Sequence, residues 1–203
     1  MHIQTFSLGL LDTNCYIIHN DKQEAFIIDP SAEAEIIIDY IEKENLLPKH
    51  VLLTHAHFDH IQALPDIVDK YQIPVFLHPE DMVIYTSDDN AMPPYIPALE
   101  NKPTVSHEID QELDQLSFEI FHTPGHSPGQ VAFYFKEEAN LFCGDTLFNE
   151  SIGRTDLPGG DFDSLAKSIR TILYKLDENT VVFPGHGPRT SIGHEKRFNP
   201  FIT

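Results

Sequence analysis

The chain has few cysteines, few cations and no long apolar run, and each shortage narrows what it can be. Cys15 and Cys143 are its only cysteines, so a disulfide framework is not expected and a reducing, cytoplasmic location is favoured. No segment approaches the roughly 18 to 20 consecutive apolar residues that a membrane-spanning helix requires. Residues 1–6 alternate in polarity, which predicts a first strand and not a signal peptide.

Positive charge is scarce, because 13 lysines and arginines stand against 32 aspartates and glutamates, for a formal net charge of −19. This balance repels a phosphate backbone, so nucleic acid is not an expected partner. Most of the acidity is expected to form a solvated surface. The length of 203 residues and a hydrophobic content of 41% predict one globular domain or a closely fused pair of halves.

The apolar pattern predicts an α/β chain organised as two similar halves. In the first half, strands are predicted over 2–8, 14–19, 24–29, 50–54 and 74–77, and helices over 33–46, 60–72 and 79–85. In the second, strands are predicted near 116–121, 130–136, 140–143 and, as the last strand, 181–183, with a helix over 162–176 that Asp161 caps. Residues 87–104 contain several prolines and predict a long loop that covers a site.

The densest chemical signal is a run of histidines and an aspartate directly after the strand predicted over 50–54, comprising His55, His57, Asp59 and His60. Imidazole nitrogens and carboxylate oxygens are ligands that zinc, iron and manganese accept. Open α/β folds place ligands at the ends of strands, so these side chains are expected to converge at a rim. A simple turn would need Gly, Asn or Pro, which favours a metal site here.

Three later segments share one form, a strand followed by a polar residue in a turn rich in Gly or Pro. They present His126 within 122–129, Asp145 within 142–146 and His186 within 183–188. Any one of them alone is weak evidence, because a histidine in a turn is more often incidental. Together with the cluster they indicate a metal site built from distant parts of the chain.

The order His-x-His-x-Asp-His, then a lone His, an Asp and a last His, resembles the metallo-β-lactamase superfamily, and within it the glyoxalase II-like hydrolases. The resemblance implies an α/β fold, a four-layer αβ/βα sandwich of two mixed sheets flanked by helices, with residues 1–203 as a single domain. It also implies two divalent metal ions, zinc being favoured over iron or manganese. The first metal would be held by His55, His57 and His126, the second by Asp59, His60 and His186, and Asp145 would bridge both.

The run 151–161 and the tail segments 190–195 and 199–201 resemble a short, single-domain glyoxalase II-like subgroup. Full-length glyoxalase II proteins carry a C-terminal helical domain that supplies basic contacts to glutathione. This chain is expected to lack that domain, so the resemblance leaves open whether glutathione is the thiol carrier. Arg154 aligns with a substrate-binding basic residue of glyoxalase II proteins, and a structural salt bridge with Asp156 is the alternative. Asp29 matches a superfamily aspartate that supports the metal loops.

The implied activity is hydrolysis of a thioester, S-lactoylglutathione or a related acyl-thiol. Two metals about 3.5–4 Å apart can share a water and lower its pKa from about 15.7 to about 7, so a bridging hydroxide would attack the carbonyl carbon. The catalytic residues in this scheme are Asp59 and Asp145, which act as ligands, with Asp59 orienting the centre and not serving as a base. The expected partner is therefore a small-molecule thioester, with no membrane involved.

Two other functions stay open. Sulfur dioxygenases of the superfamily resemble the chain around 153–156 and use a single iron, for which the corresponding ligands are His55, His126 and Asp145. A non-catalytic metal-binding module is the third, and it accounts least well for the complete ligand set. Lactam hydrolysis is disfavoured, because class B β-lactamases lack an aspartate in the role of Asp145. The sequence does not predict an oligomeric state.

Overall fold

The computed structural model describes residues 1–108, 112–113 and 116–202. The chain forms two compact units, Met1–Leu116 and Ser117–Thr203. Each unit contains one five-stranded sheet with both parallel and antiparallel neighbours. The predicted fold class, α/β with two mixed sheets flanked by helices, is therefore confirmed. Among the described residues, no helix is long and apolar enough to cross a membrane.

The sheet of the first unit has its five strands in chain order. Strands β1 to β5 span His2–Leu8, Thr13–His19, Glu24–Ile28, Leu47–Leu52 and Val75–Phe76. Helices α1 to α4 span Ala34–Lys43, Phe58–Ile61, Leu64–Tyr71 and Met82–Tyr85. The first three strands pair antiparallel, whereas β3, β4 and β5 pair in parallel, so β3 and β4 end at the same edge.

Two helices cover this sheet with apolar side chains at helical spacing. Helix α1 contributes Ile37 and Ile41, and α3 contributes Leu64 and Ile67, to a core that includes Ile27 of the central strand. All five side chains are buried. This packing fixes the edge at which β3 and β4 end, and the predicted ligands of the first unit follow β4.

The single helix predicted over 60–72 is wrong, because the structure has α2 and α3 separated by Gln62 and Ala63. The backbone N–H groups of these two residues donate to the carbonyls of Ser31 and Pro30, at 3.1 and 3.0 Å, so they bond outside their own helix. Pro65 stands in the first turn of α3, where a missing N–H costs nothing. The helix predicted over 79–85 begins as a 3-10 turn, and no helix or strand lies within 87–104, as predicted.

Strands β6 to β14 span Glu112–Leu113, Leu116–Ser117, Glu119–His122, Val131–Phe135, Asn140–Gly144, Leu147–Phe148, Ser151–Ile152, Val181–Pro184 and Thr190–Ser191. Five of them form the sheet of the second unit, in the order β14-β13-β10-β9-β8. Helices α5 and α6 span Phe162–Thr171 and Ile192–Phe198. Strands β10 and β13 pair in parallel, so their ends lie side by side.

Helix α5 matches its prediction at its start and departs from it at its end. Asp161 is the N-cap and accepts a hydrogen bond from the backbone of Ser164 at 2.7 Å. The helix stops at Thr171 and continues as a 3-10 turn, Leu173–Lys175. The prediction that 181–183 is the last strand is wrong, because β14 and α6 follow it. A strand of two residues is too short to show the alternation on which the prediction relies.

Candidate metal centre

The predicted ligands of the first unit lie in the loop after β4 and in the first turns that follow. His55 and His60 are fully buried and His57 nearly so, while Asp59 is partly exposed. The rings of His55 and His60 have centroids 4.1 Å apart, and those of His55 and His57 are 4.8 Å apart. The structure therefore brings together all four side chains that the sequence places in this cluster.

Asp29, at the end of β3, fixes two of these histidines. One carboxylate oxygen accepts from the backbone N–H of Thr54 at 2.8 Å, and the other accepts from the Thr54 hydroxyl at 2.6 Å and from Nδ1 of His60 at 2.9 Å. Since a carboxylate only accepts, Nδ1 of His60 carries the proton. These three hydrogen bonds show that Asp29 supports the loop that carries the predicted ligands.

Thr54 fixes the protonation of His55, as Asp29 fixes that of His60. Its Nδ1 lies 3.1 Å from the Thr54 hydroxyl oxygen, whose own proton goes to Asp29. Nδ1 of His55 is therefore the donor, and Nε2 carries the lone pair. A histidine that binds a metal commonly donates its other ring N–H to an oxygen, which fixes the tautomer and the ring. Both buried histidines are prepared in this way.

Two polar residues outside the predicted set hold the backbone of the cluster. The buried carboxylate of Asp81 accepts from the N–H of Ala56 at 2.8 Å. The side chain of Asn90 accepts from the N–H of Phe58 at 3.0 Å and donates to the carbonyl of Ala56 at 2.8 Å. Asn90 lies in the long loop over 87–104, so one role of that loop is to hold the segment that carries the predicted metal ligands. Sequence reasoning missed both residues, because a single polar residue in a helix or loop forms no pattern.

In the second unit, His126, Asp145 and His186 follow three different strands and meet at one carboxylate oxygen. Oδ2 of Asp145 lies 3.5 Å from Nε2 of His126 and 3.5 Å from Nε2 of His186. In the first unit, Nε2 of His60 lies 3.6 Å from Oδ2 of Asp59. Two ligands of a tetrahedral metal with bonds of about 2.0–2.1 Å are separated by about 3.3 Å. The observed distances of 3.5–3.6 Å are longer than ordinary hydrogen bonds. Together with the imidazole and carboxylate groups present, they fit a site for a divalent metal.

His126 and Asp59 are each held by one further hydrogen bond. Nδ1 of His126 donates to the backbone carbonyl of Arg154 at 2.8 Å, which leaves Nε2 facing Asp145. The hydroxyl of Thr13 donates to Asp59 at 3.0 Å. In each unit, hydrogen bonds therefore orient the predicted ligands.

The side chain of Arg154 forms the salt bridge that the sequence offered as the alternative to substrate binding. Its guanidinium makes two parallel hydrogen bonds to Asp156, of 2.7 and 2.8 Å. The hydrogen bonds from Arg154 lower the pKa of Asp156 to about 2 and raise the pKa of the guanidinium. Both side chains are well exposed, so the pair contributes little to stability.

The two cysteines do not supply a nucleophile. Both are fully buried, and burial raises the pKa of the Cys143 thiol to about 12 and that of Cys15 further. A thiol with such a pKa is not ionised at neutral pH, and the thiolate is the nucleophile. Cys143 is therefore a small buried residue of the core of the second unit.

A cavity of about 260 Å³ opens beside Asp59 in the first unit. It lies between the turn joining β1 and β2, with Leu10 and Leu11, and the loop residues Tyr95 and Ile96. Leu10 and Tyr95 are 61% and 72% exposed, so large side chains lie open to solvent at the rim of the cavity. Among the described residues, those that line the cavity include no lysine or arginine.

The family model of the metallo-β-lactamase superfamily matches residues 8–186. The chain therefore belongs to the metallo-β-lactamase superfamily, whose members include metallo-hydrolases. Hydroxyacylglutathione hydrolase GloC of Haemophilus influenzae is 38% identical over 208 residues, which cover 100% of this chain and 98% of that protein.

Two solved structures are similar over nearly their whole length. BLEG-1 B3 metallo-β-lactamase has 42% sequence identity and a TM-score of 0.92, and the match covers 100% of both chains. TTHA1623 in a di-iron-bound form has 39% identity and a TM-score of 0.87, and the match covers 98% of this chain and 99% of that one. The chain is therefore similar both to a protein named as a hydroxyacylglutathione hydrolase and to one named as a metallo-β-lactamase.

Proposed function

We propose that this protein is a glyoxalase II-like hydrolase that cleaves a thioester at a centre of two divalent metal ions, zinc being favoured. Seven side chains would hold the metals: His55, His57 and His126 the first, Asp59, His60 and His186 the second, and Asp145 both. The observation that carries the proposal is the hydrogen-bond geometry that His60 and His126 have in common. In each, an oxygen atom holds Nδ1, and Nε2 faces a carboxylate oxygen at 3.5–3.6 Å.

When bound, the metals would lower the pKa of a water to about 7 and polarise the carbonyl of the substrate. The protein's own part is to fix the ligands before the reaction. Asp29 and the carbonyl of Arg154 hold the imidazoles, and Thr13 holds Asp59. The buried, un-ionised thiols of Cys15 and Cys143 support hydrolysis by water over a covalent cysteine route.

The substrate we propose is a small-molecule acyl-thiol, S-lactoylglutathione or a relative. The name of the H. influenzae relative supports this class. The cavity beside Asp59 would take an apolar part of the substrate, because its exposed rim is built from leucine and tyrosine. The ion pair between Arg154 and Asp156 is exposed and therefore weak. A carboxylate of the substrate would replace Asp156 as the partner of the Arg154 guanidinium.

The proposal extends to the setting of the enzyme. A cytoplasmic location is supported by the absence of a cysteine framework, and the net charge of −19 argues against nucleic acid as a partner. We propose no membrane partner. The interpretation of residues 1–203 as one metallo-β-lactamase domain stays a prediction.

A second candidate activity is hydrolysis of a β-lactam. The observation in its favour is the 42% identity to BLEG-1, which is named as a B3 metallo-β-lactamase. Asp145 argues for the thioester instead, because class B β-lactamases lack an aspartate in the role that Asp145 would have as a metal ligand. The two activities share a mechanism of attack on an acyl carbon, so a direct assay separates them.

The test is a panel of substrates on metal-loaded protein, beginning with S-lactoylglutathione and including a chromogenic cephalosporin. The proposal predicts thioester hydrolysis and its loss by more than about 100-fold in His186→Ala, since loss of even an outer partner of a ligand typically costs about 10–100-fold. His2→Ala is the matched control, because His2 is exposed on β1. Cephalosporin hydrolysis alone would replace the proposed activity with the second, and an unchanged His186→Ala would remove the two-metal centre.

A further inference from the structure

We propose that the C-terminal helix α6 positions the pair His126 and Asp145, by holding the segment 150–154 against them through Glu195 and Asn199. The inference rests on the proposed function only in treating His126 and Asp145 as metal ligands. It assigns a role to the tail motif, which the hydrolytic scheme leaves unused.

The segment 150–154 touches both ligands directly. The carbonyl of Arg154 accepts from Nδ1 of His126 at 2.8 Å. A Cβ atom added at Gly153 would lie 1.9 Å from the backbone oxygen of Asp145 and 3.1 Å from Nδ1 of His126. No other residue fits at 153 without moving one of the two ligands. The position of this segment therefore sets the position of both.

The segment has little structure of its own to hold it there. Its only regular element is β12, Ser151–Ile152, which pairs with the two residues of β11. An isolated two-stranded ribbon is marginally stable even when it is longer than this. Glu150, just before β12, adopts a positive φ of 55°, which side chains other than glycine rarely take. The segment therefore needs an external anchor.

Helix α6 supplies that anchor through a buried carboxylate. Glu195 is fully buried, and its side chain accepts from the N–H of Glu150 at 3.0 Å, from Asn199 at 2.8 Å and from the Thr190 hydroxyl at 2.6 Å. Asn199 also donates to the carbonyl of Ser151 at 3.0 Å. A buried carboxylate is costly unless it is fully hydrogen-bonded, so the three donors and Glu195 hold one another in place.

The connection from the tail to the ligands is therefore continuous. Glu195 and Asn199 hold the backbone of residues 150 and 151, and two residues later the chain passes over Asp145 and reaches His126. Glu195 is a positioning residue, since the segment lies between it and the ligands. Its loss should move His126 before it unfolds the protein.

The test uses the full chain and compares Glu195→Ala with Glu195→Gln. Glutamine keeps an acceptor oxygen for Glu150 and Asn199, and its amide can donate to the Thr190 oxygen, so it should restore the wild-type behaviour. Tyr174→Phe is the control, because the Tyr174 hydroxyl donates to the backbone carbonyl of Glu195 and so anchors the same helix through a hydrogen bond that does not involve 150–154. Asn199→Ala replaces Glu195→Ala if the latter does not fold.

Two measurements are made: the zinc dissociation constant by chelator competition, and the ¹⁵N-detected imidazole signals of His126 in metal-free protein. We expect Glu195→Ala to weaken zinc binding by about tenfold and to shift the Nδ1 signal of His126, while Glu195→Gln and Tyr174→Phe stay within about twofold of wild type. An unshifted signal with wild-type affinity in Glu195→Ala, or an equal effect of Tyr174→Phe, would overturn the inference.

Both readouts are independent of thioester turnover. A protein that shows the expected response but hydrolyses no thioester would keep this inference and lose the proposed function. If the protein hydrolyses thioesters but Glu195→Ala changes neither zinc affinity nor the His126 signal, the proposed function stands and this inference fails. If the wild-type chain binds no zinc, the His126 signal alone decides.

Discussion

Nδ1 of His60 donates to a carboxylate oxygen of Asp29 at 2.9 Å, with both side chains almost wholly excluded from solvent. The same carboxylate accepts two hydrogen bonds from Thr54, whose hydroxyl in turn accepts from His55. One buried aspartate therefore determines the tautomer of two predicted metal ligands.

Asp29→Asn should weaken metal binding by about 10–100-fold, because the amide nitrogen cannot accept the hydrogen bonds that the second oxygen receives. It should also lower the free energy of unfolding by about 1–3 kcal/mol, the usual cost of a buried polar group left without its partner. Asp39→Asn is the matched control, since Asp39 is exposed on α1. Chelator competition and urea unfolding measure the two effects. Wild-type metal affinity in Asp29→Asn would contradict the assignment of Asp29.

Asn90→Ala should destabilise the metal-free protein by about 1–3 kcal/mol, because it leaves the N–H of Phe58 and the carbonyl of Ala56 without their side-chain partner. Metal affinity should fall as well, since these two residues flank His57. Asn101→Ala is the control, as Asn101 is exposed in the same loop. Equal unfolding midpoints for the two variants would show that the loop does not hold the ligand segment.

Tyr95→Ala should raise KM for thioesters with an apolar substituent by up to about tenfold, equivalent to about 1.4 kcal/mol of binding, while kcat stays the same. The reason is that Tyr95 would contact the substrate equally before and during the reaction. Phe162→Ala, at an exposed aromatic outside the cavity, should change neither constant. Steady-state kinetics with a series of acyl groups decides, and a fall in kcat alone would remove the binding role.

Arg154→Ala should raise KM for thioesters that carry a carboxylate, yet leave the free energy of unfolding nearly unchanged, because its ion pair is exposed. The folded-state pKa of Asp156, about 2, lies below its ordinary 3.8. The ionised pair is therefore complete above pH 3.8 and is lost only as the pH falls towards 2. Hence the KM ratio of Arg154→Ala to wild type should be constant between pH 5 and 8. A ratio near one throughout would leave Arg154 with the salt bridge alone.

Neither thiol should react with a disulfide reagent at pH 8 in the folded protein, because both cysteines are buried and the pKa of each is raised. In denaturant, two thiols per chain should react. Reagent titration with and without denaturant makes this check. A thiol that reacts rapidly in the folded protein would reopen the assignment of Cys143 as a structural residue.

The fold was predictable where a local pattern repeats. Helix α5 shows an apolar stripe and a capping aspartate, and the structure has both. The break between α2 and α3 was not predictable, because it depends on two N–H groups that donate to carbonyls some thirty residues earlier in the chain. The elements after Pro184 were missed for a related reason, since β14 has two residues and the buried Glu195 of α6 bonds to residues elsewhere in the chain.

The candidate ligands were predictable because they are chemically distinctive and follow strands. His55 to His60 stand out as a cluster, and the structure brings them together. The residues that orient them were harder to find. Asp29 was recognisable from a resemblance, whereas Asp81 and Asn90 are single polar residues whose role depends on where the chain returns in space. The spacing of the sequence identifies the candidate metal ligands, whereas tertiary contacts are needed to identify the residues that orient them.

The most direct test of the two-metal centre is the metal content of the full chain, purified without chelator and measured by elemental analysis. The account predicts two equivalents of zinc, iron or manganese per chain, and one equivalent in His186→Ala. A single equivalent of iron in the wild-type protein, with oxygen uptake on a persulfide, would contradict it and favour the mononuclear dioxygenase. Metal bound without turnover of any substrate in the panel would leave a binding module.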